Sequence, residues 1–150
     1  MSPEVSSILF RHPSCPVCRR VRRRALRTFL SEVAGTAGRG LAITCLIADD
    51  RKLRELNRRF RRKDYVTDVL SFPSATGGAG ELAISLDRAA AQAAEFGHTV
   101  EEELRILMLH GVLHLAGLDH ETDSGQMARA ESRWRKRLGL PAGLVERSRA

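Results

Sequence analysis

The sequence predicts a small α+β domain in which a mixed sheet of roughly four strands packs with about five helices. The chain length of 150 residues suits one domain with a sizeable core and is too short for two. The order of the apolar segments mixes short β-branched runs with stretches of helical periodicity. Because no internal repeat and no linker divides the chain, we expect a single domain over residues 1–150.

Each element follows from its own local pattern. Short apolar runs bounded by turn residues predict four strands, which are Val5 to Phe10, Leu41 to Ile47, Val66 to Phe72 and Glu81 to Leu86. Apolar residues at helical spacing predict five helices, which are a basic one from Pro16 to about Ala34, one after Asp49 or Asp50, one from Asp87 to Phe96, one from Thr99 to about Ala116, and one opened by Asp123 and Gln126.

Capping residues indicate where the helices begin. Asp49 or Asp50 can cap the second helix and Asp87 the third. Thr99 and Glu102 form a capping box for the fourth, whose second half is apolar nearly all round and therefore buried. The residues expected on the inward faces of the second and fifth helices are Leu53, Leu56 and Phe60, and Met127, Ala130, Trp134 and Leu138.

The charge of the chain favours a polyanionic partner. Its net charge is +7 and its pI is about 10.3, and the cations cluster in Arg19 to Arg27 and in Arg58 to Lys63. Nucleic acid is the first partner to consider and an anionic membrane surface the second. With 43% hydrophobic and 29% charged residues, the composition is that of a soluble globular protein.

The compartment is expected to be the cytoplasm. No apolar run approaches the roughly 20 residues that span a bilayer. The first 18 residues have neither the basic start nor the cleavage site of a secretory signal. Three cysteines are too few for a disulfide framework: Cys45 suits a core position, and Cys15 and Cys18 form a CxxC pair whose role, redox or metal-binding, stays open.

The segment HGVLHLAGLDH, at 110–120, carries the clearest chemical pattern. His110 and His114 are four residues apart and so share one helix face, where both rings can bind one tetrahedral zinc ion. Gly117 permits a left-handed turn that ends the helix and brings His120 back as a third ligand. We therefore expect one zinc per chain at the end of a buried helix, with His12 and His98 on the surface.

Three protein ligands leave the fourth position of zinc to water, which is the pattern of catalytic sites. The spacing HxxxHxxGxxH is also that of the metzincin peptidases. Their glutamate base follows the first histidine, and here that position is Gly111, which cannot accept a proton.

Three segments of the chain resemble the YbeY endoribonucleases, also described as bacterial rRNA maturation factors. The segments are HGVLHLAGLDH at 110–120, LNRRFRRKDYVTDVLSFP at 56–73 and GELAIS at 80–85, and the resemblance covers about residues 40–140. Residues 1–39 match no part of the pattern. The resemblance implies a zinc-dependent hydrolase of single-stranded RNA that acts with the ribosome or its small subunit, in 16S rRNA 3′-end processing and ribosome quality control.

The resemblance also implies roles for particular residues. The family's zinc ligands correspond to His110, His114 and His120, and its functional arginine to Arg61, where positive charge can stabilise a phosphodiester transition state. From the residues alone, Asp119 is a candidate acceptor for a ligand imidazole N–H, and it could equally cap the turn. The neighbouring cations that are candidate contacts to RNA are Arg58, Arg59, Arg62 and Lys63.

Two other functions stay open at this point. One is a zinc peptidase, which Gly111 disfavours, and the other is a non-catalytic module that binds RNA or the ribosome and whose zinc is structural. A fourth protein ligand would favour the module, and an open water position would favour an enzyme. We expect neither an organic cofactor nor a membrane partner, and the RNA cleavage site and the oligomeric state stay undetermined.

Overall fold

The computed structural model describes residues 6–12, 21–75, 77–119 and 122–148. Within these ranges the chain forms one mixed sheet of four strands together with six helices, in agreement with the predicted class. No helix in these ranges has the length and apolar character needed to cross a membrane. The elements in chain order are β1 Ser7–Arg11, α1 Arg23–Gly35, β2 Ala42–Ala48, α2 Asp50–Arg61, β3 Val69–Pro73, β4 Ala79–Ser85, α3 Leu86–Phe96, α4 Val100–Leu115, α5 Gln126–Leu138 and α6 Leu144–Ser148.

The sheet has the strand order β1-β2-β4-β3, so β3 lies at an edge. The pairs β1–β2 and β2–β4 are parallel, and β3 runs antiparallel to β4. Alternate residues of β2 point to opposite faces, and Ile43, Cys45 and Ile47 enter the main core. Leu82 and Ile84 of β4 join them there.

Helix α4 is the centre of the fold. It contacts α1, α3 and α5 as well as β3 and β4, and every residue over 106–113 is buried, as predicted. The predicted capping box is present, since Thr99 Oγ1 accepts from the Glu102 N–H at 3.1 Å and Glu102 Oε1 accepts from the Thr99 N–H at 3.0 Å. At the other end the chain turns at Gly117 with φ of +99°, which confirms the predicted left-handed turn.

Helix α2 packs on the opposite face of the sheet. Asp49 caps it, as expected, and Leu53 is fully buried beside Leu70 of β3. Phe60 was expected to be buried too, but it is 58% exposed. The reason is that it lies above the edge strand, where it contacts Phe72 of β3 edge to face with ring centroids 5.4 Å apart.

The cap of α3 also differs from the prediction. Ser85 Oγ accepts from the Arg88 N–H at 3.1 Å, so Ser85 is the cap. Asp87 lies in the first turn instead, where its carboxylate accepts from the Asp50 N–H at 2.8 Å and lies 2.9 Å from His12 Nε2. Because β4 runs directly into α3, the last residue of the strand takes the cap position.

Two histidines that were expected on the surface are largely buried and contact carboxylates. The His12 side chain is 12% exposed and pairs with Asp87. The His98 side chain is 7% exposed, and its Nε2 lies 2.6 Å from Oε1 of the fully buried Glu103. Arg147 binds the same carboxylate at 2.9 Å and 3.0 Å. Arg147 belongs to α6, which is too short to show the helical periodicity that predicts longer helices.

The N-terminal predictions are covered only in part. Residues 1–5 and 13–20, with the CPVC pair, lie outside the described residues. The basic helix was expected from Pro16, but in the described part it begins at Arg23, because Arg22 before it has an extended backbone with φ of −83° and ψ of 96°.

Candidate metal centre and its cleft

His110 and His114 face each other from successive turns of α4, as their spacing predicted. Their Nε2 atoms are 3.2 Å apart, and the rings meet edge to face with centroids 4.8 Å apart. Two nitrogens that bind a tetrahedral zinc at about 2.0–2.1 Å lie about 3.3 Å from each other. The two imidazoles therefore already have the separation of two ligands of one metal ion.

A buried carboxylate that the sequence analysis missed holds the His110 ring. His110 Nδ1 donates to Glu131 Oε2 at 2.9 Å, and Glu131 Oε1 accepts from the Val145 N–H at 2.8 Å. Because a carboxylate accepts, the hydrogen is on Nδ1, and the lone pair on His110 Nε2 is directed toward His114. Metal-ligating histidines typically have such an acceptor on the second nitrogen.

A signal for this residue was present in the sequence. Glu131 follows Met127 by four positions and is next to Ala130, so it belongs to the inward face of α5. A charged residue within a buried apolar face needs a partner, because desolvation of an unpaired charge is unfavourable. That reasoning predicts a buried partner, but it does not identify His110.

The third predicted ligand, His120, lies outside the described residues, so its part in the site stays a prediction. Asp119, just before it, lines the same cleft as His110 and His114, and its carbonyl accepts from the Asp123 N–H at 3.1 Å. Whether the Asp119 carboxylate holds an imidazole also stays a prediction. Within the described ranges, no three or more His, Cys, Asp or Glu side chains are grouped so that they could hold a metal ion.

The histidine pair opens into a cleft of about 620 Å³. Its walls come from the end of α2, the loop after it, β3 and the end of α4, and they include Arg61 and Lys63. The fold thus brings Arg61 into the same cleft as His110, although the two are far apart in sequence. Of the cations predicted to contact RNA, Arg58, Arg59 and Arg62 are exposed outside the lining of the cleft, and their contact with RNA stays a prediction.

The loop that carries these groups is held against α2. Arg62 ends the helix in the left-handed conformation with φ of +56°, so the chain turns sharply after Arg61. The buried Asn57 donates from its side-chain Nδ2 to the Tyr65 backbone carbonyl at 3.0 Å. The backbone carbonyl of Asn57 accepts from the Lys63 N–H at 3.3 Å. Asn57 is a second residue whose positioning role the sequence analysis missed, although its spacing from Leu53 put it on the buried face.

Asp64 is paired outside the cleft. Its Oδ1 lies 2.8 Å from Nε of Arg54, and this hydrogen bond holds the pKa of Asp64 below its ordinary value. The acidic residue between Lys63 and Tyr65 therefore has its charge balanced by Arg54. Arg61 and Lys63 are the cations that line the cleft, and Asp68 and Asp119 line it as well.

Two polar residues around β3 support the fold. Ser71 Oγ donates to the Gly111 carbonyl at 3.2 Å and so ties β3 to α4. Asp68 accepts from the Val69 N–H at 2.8 Å and from Gln92 Nε2 at 3.2 Å. Both side chains therefore have structural partners.

Gly111 is a packing contact between α4 and the sheet. A Cβ atom at this position would lie 2.5 Å from Cδ2 of Leu82 on β4. The position therefore faces the sheet closely enough that only glycine fits without displacement of Leu82. A glutamate base of the peptidase type would require Leu82 to shift.

Comparisons with known proteins identify a family and relatives that this chain resembles. A family model described as Endoribonuclease YbeY matches residues 17–139. The matched range begins upstream of the segments that carry the sequence resemblance. The chain is 58% identical over 146 residues to the Endoribonuclease YbeY of Solibacter usitatus, covering 97% of both chains. It is 52% identical over 129 residues to that of Koribacter versatilis, covering 85% of both. A solution structure from Thermotoga maritima aligns with a TM-score of 0.57 at 26% identity, over 88% of this chain and 89% of that one.

The fold and the cleft define a class of protein, a single α+β domain in which a histidine pair on a buried helix shares a cleft with cations from a second helix. Within that class, the family match and the two relatives assign the chain. It belongs to the YbeY endoribonuclease family.

Proposed function

We propose that this protein hydrolyses phosphodiester bonds of single-stranded RNA and depends on one zinc ion held by His110, His114 and His120. The observation that carries the proposal is the shared cleft, because Arg61 and Lys63 line the same cavity as the histidine pair. The name of the family supports RNA as the substrate. The net charge of +7 is of the sign that such a substrate requires.

The donor set suits zinc. Imidazole is a preferred zinc ligand, and the 3.2 Å between the two Nε2 atoms matches two positions of a tetrahedron. The Glu131 contact holds His110 with its Nε2 lone pair toward the centre of the site. When bound, zinc supplies a Lewis acid that polarises a phosphoryl oxygen or lowers the pKa of a coordinated water toward about 7.

Arg61 is the residue that binds the reacting phosphate in this proposal. Its planar guanidinium can donate two parallel hydrogen bonds to the phosphoryl oxygens, where negative charge grows as the bond breaks. Lys63, as a compact point charge, binds a neighbouring phosphate. Asn57 holds the loop that carries Lys63, and the contact of Lys63 with phosphate depends on the geometry of this loop.

The cellular substrate in this proposal is ribosomal RNA of the small subunit, with 16S rRNA 3′-end maturation and ribosome quality control as the processes served. The cytoplasm is the corresponding compartment. The family assignment supports these steps, and so does the basic surface formed by the exposed Arg58, Arg59 and Arg62 next to the cleft.

A peptidase function is disfavoured because Leu82 occupies the space that a glutamate at position 111 would need. A non-catalytic zinc module would need a fourth protein ligand to close the metal site. Metal analysis and X-ray absorption of the purified protein separate these cases, since we expect about one zinc per chain, three nitrogen ligands and one water.

The decisive experiment is cleavage of single-stranded RNA by the zinc-loaded protein, by the same sample after chelation, and after zinc is restored. We expect activity, loss and recovery in that order. His114→Ala, purified in parallel, controls for contaminating nuclease and should bind no zinc and cleave no RNA. Cleavage that persists in the chelated sample or in the variant would refute the proposal, and zinc-dependent cleavage of casein would favour a peptidase.

A further inference from the structure

Two aromatic side chains in the cleft wall are exposed. Phe60 is 58% and Tyr65 54% exposed, and both line the cleft that contains His110 and His114. Large apolar side chains that line a cleft and stay in contact with water indicate a binding surface, because their burial by a ligand is favourable. The exposed parts of these two rings are therefore accessible to a ligand in the cleft.

The Phe60 ring is held in place by its neighbours. Phe72 supports it edge to face at 5.4 Å and 66°, and the Arg59 guanidinium carbon lies 5.4 Å from its centroid. The Tyr65 backbone is fixed by the hydrogen bond from Asn57. Because the Phe60 ring and the Tyr65 backbone start from supported positions, a ligand that stacks on the two rings has less conformational entropy to remove.

Cations alternate with the aromatic residues along this wall. Arg61 follows Phe60, and Lys63 precedes Tyr65 by two positions, and all four line the cleft. A positive groove that carries aromatic rings is the usual surface for single-stranded nucleic acid, in which phosphates meet the cations and bases stack on the rings. An apolar peptide would satisfy the rings but would leave Arg61 and Lys63 without anions.

We propose that Phe60 and Tyr65 are stacking platforms for unpaired nucleobases next to the phosphate bound by Arg61, and that they select single-stranded RNA. In a duplex each base is stacked between its neighbours and cannot offer its face to a protein ring. Aromatic stacking tolerates any base, so these contacts favour unpaired RNA with little dependence on sequence. This inference rests on the proposed function, which supplies RNA as the ligand.

The test measures binding and does not require catalysis. The ligand is a fluorescein-labelled, single-stranded 2′-O-methyl oligoribonucleotide of about ten nucleotides, a length within the usual range of such sites. A second oligonucleotide has the same backbone with abasic sites in place of its central bases. Fluorescence anisotropy gives the Kd of each for the zinc-loaded protein, and a gel confirms that the ligand stays intact.

Phe60→Leu and Tyr65→Leu keep an apolar side chain but remove the ring, and Tyr65→Phe keeps the ring as the matched control. We expect each leucine variant to bind the base-containing oligonucleotide roughly five- to a hundredfold more weakly, the range found when a stacking side chain is removed. The abasic oligonucleotide should bind all variants equally, and Tyr65→Phe should behave as the wild type. If Phe60→Leu disturbs the fold through loss of the Phe60–Phe72 contact, the Tyr65 variants still test the inference independently.

Unchanged Kd values in both leucine variants would overturn the inference, and so would an equal loss for the two oligonucleotides. Wild-type protein that binds no RNA would overturn it as well and would favour a protein ligand for the rings. RNA cleavage by the wild type, measured separately, tells the two proposals apart. If the wild type cleaves RNA and the leucine variants bind it as well as the wild type, only the stacking proposal is refuted. If binding depends on the bases and on the two rings but the wild type does not cleave RNA, only the proposed hydrolase function is refuted.

Discussion

Glu131 and His110 form a buried carboxylate–imidazole pair in which Oε2 and Nδ1 are 2.9 Å apart. Glu131 is on α5 and His110 on α4, and the second oxygen of Glu131 accepts from the Val145 N–H of α6. The candidate metal centre is therefore positioned by two C-terminal helices that carry none of its predicted ligands.

Glu131→Gln should lower the affinity for zinc about 10- to 100-fold, the usual effect of losing the acceptor behind a ligating histidine. The amide of glutamine presents an acceptor to only one of the two N–H groups that the carboxylate serves, so His110 Nδ1 or Val145 N loses its partner. Chelator competition measures the affinity. NMR of the imidazole nitrogens of the metal-free protein reports whether the His110 tautomer changes.

The control for this variant is Glu103→Gln. Glu103 is equally buried, but its carboxylate is bound by Arg147 and His98. We expect its substitution to lower the Tm and to leave the zinc affinity as in the wild type. Equal zinc affinities for Glu131→Gln and the wild type would show that the pair serves only stability.

Arg61→Glu should abolish RNA cleavage while zinc content and Tm stay near wild-type values, because the side chain is exposed at the end of α2. Arg61→Lys should recover only part of the rate, since lysine cannot make the bidentate contact. Single-turnover rates at saturating protein measure the chemical step and remove any effect on binding.

Arg58→Glu is the matched charge reversal outside the cleft. It should weaken RNA binding and reduce its dependence on salt, with a wild-type rate at saturation. A wild-type single-turnover rate for Arg61→Glu would remove Arg61 from the catalytic machinery. The family motif would then predict functional roles only for the histidines.

Gly111→Ala should destabilise the protein by about 1–3 kcal/mol, the usual effect of overpacking a core. The added Cβ would lie 2.5 Å from Leu82 Cδ2, so Leu82→Ala in the same chain should relieve the clash and make the two effects less than additive. Urea unfolding gives the free energies. Gly35→Ala, where no atom lies within 4 Å of the new Cβ, is the control and should not destabilise. Wild-type stability for Gly111→Ala would contradict the packing argument.

Cys45 should be inert in the native state. It is fully buried in β2, and burial raises the pKa of its thiol to about 12. In a Cys15→Ser, Cys18→Ser variant, whose one remaining thiol is Cys45, a disulfide reagent at pH 8 should react only after denaturant is added. Rapid reaction of the native variant would show that β2 opens faster than the burial of Cys45 suggests.

The Arg22–Glu101 pair should stabilise the protein near neutral pH, and acid should remove this stabilisation. The side-chain hydrogen bond from Arg22, 2.7 Å long, lowers the pKa of Glu101 below its ordinary 4.5. A lowered pKa in the folded state stabilises the protein above about pH 4.5, and this stabilisation is lost as pH falls through the folded value. Below that pH, the Tm should therefore decrease less steeply with falling pH for Glu101→Gln and for Arg22→Gln than for the wild type. Parallel slopes would show that the pair has no such effect.

Features that depend on residues close together in the chain could be predicted from the sequence alone. The His110–His114 spacing, the Thr99–Glu102 capping box and the turn at Gly117 all involve neighbours within four positions, so local geometry decides them. The family resemblance also followed from contiguous motifs. The charge clusters needed only composition.

Contacts between distant residues were decided by the tertiary structure. Glu131 reaches His110 only because α5 packs on α4, and Arg61 shares a cleft with the histidines only because α2 ends beside the edge strand β3. Phe60 has the periodicity of a core residue, yet it is exposed, because helical spacing tells which residues share a face and not whether a sheet extends beneath them. The close approach of Gly111 to Leu82 has the same origin, since it depends on how near a helix and a sheet come to each other.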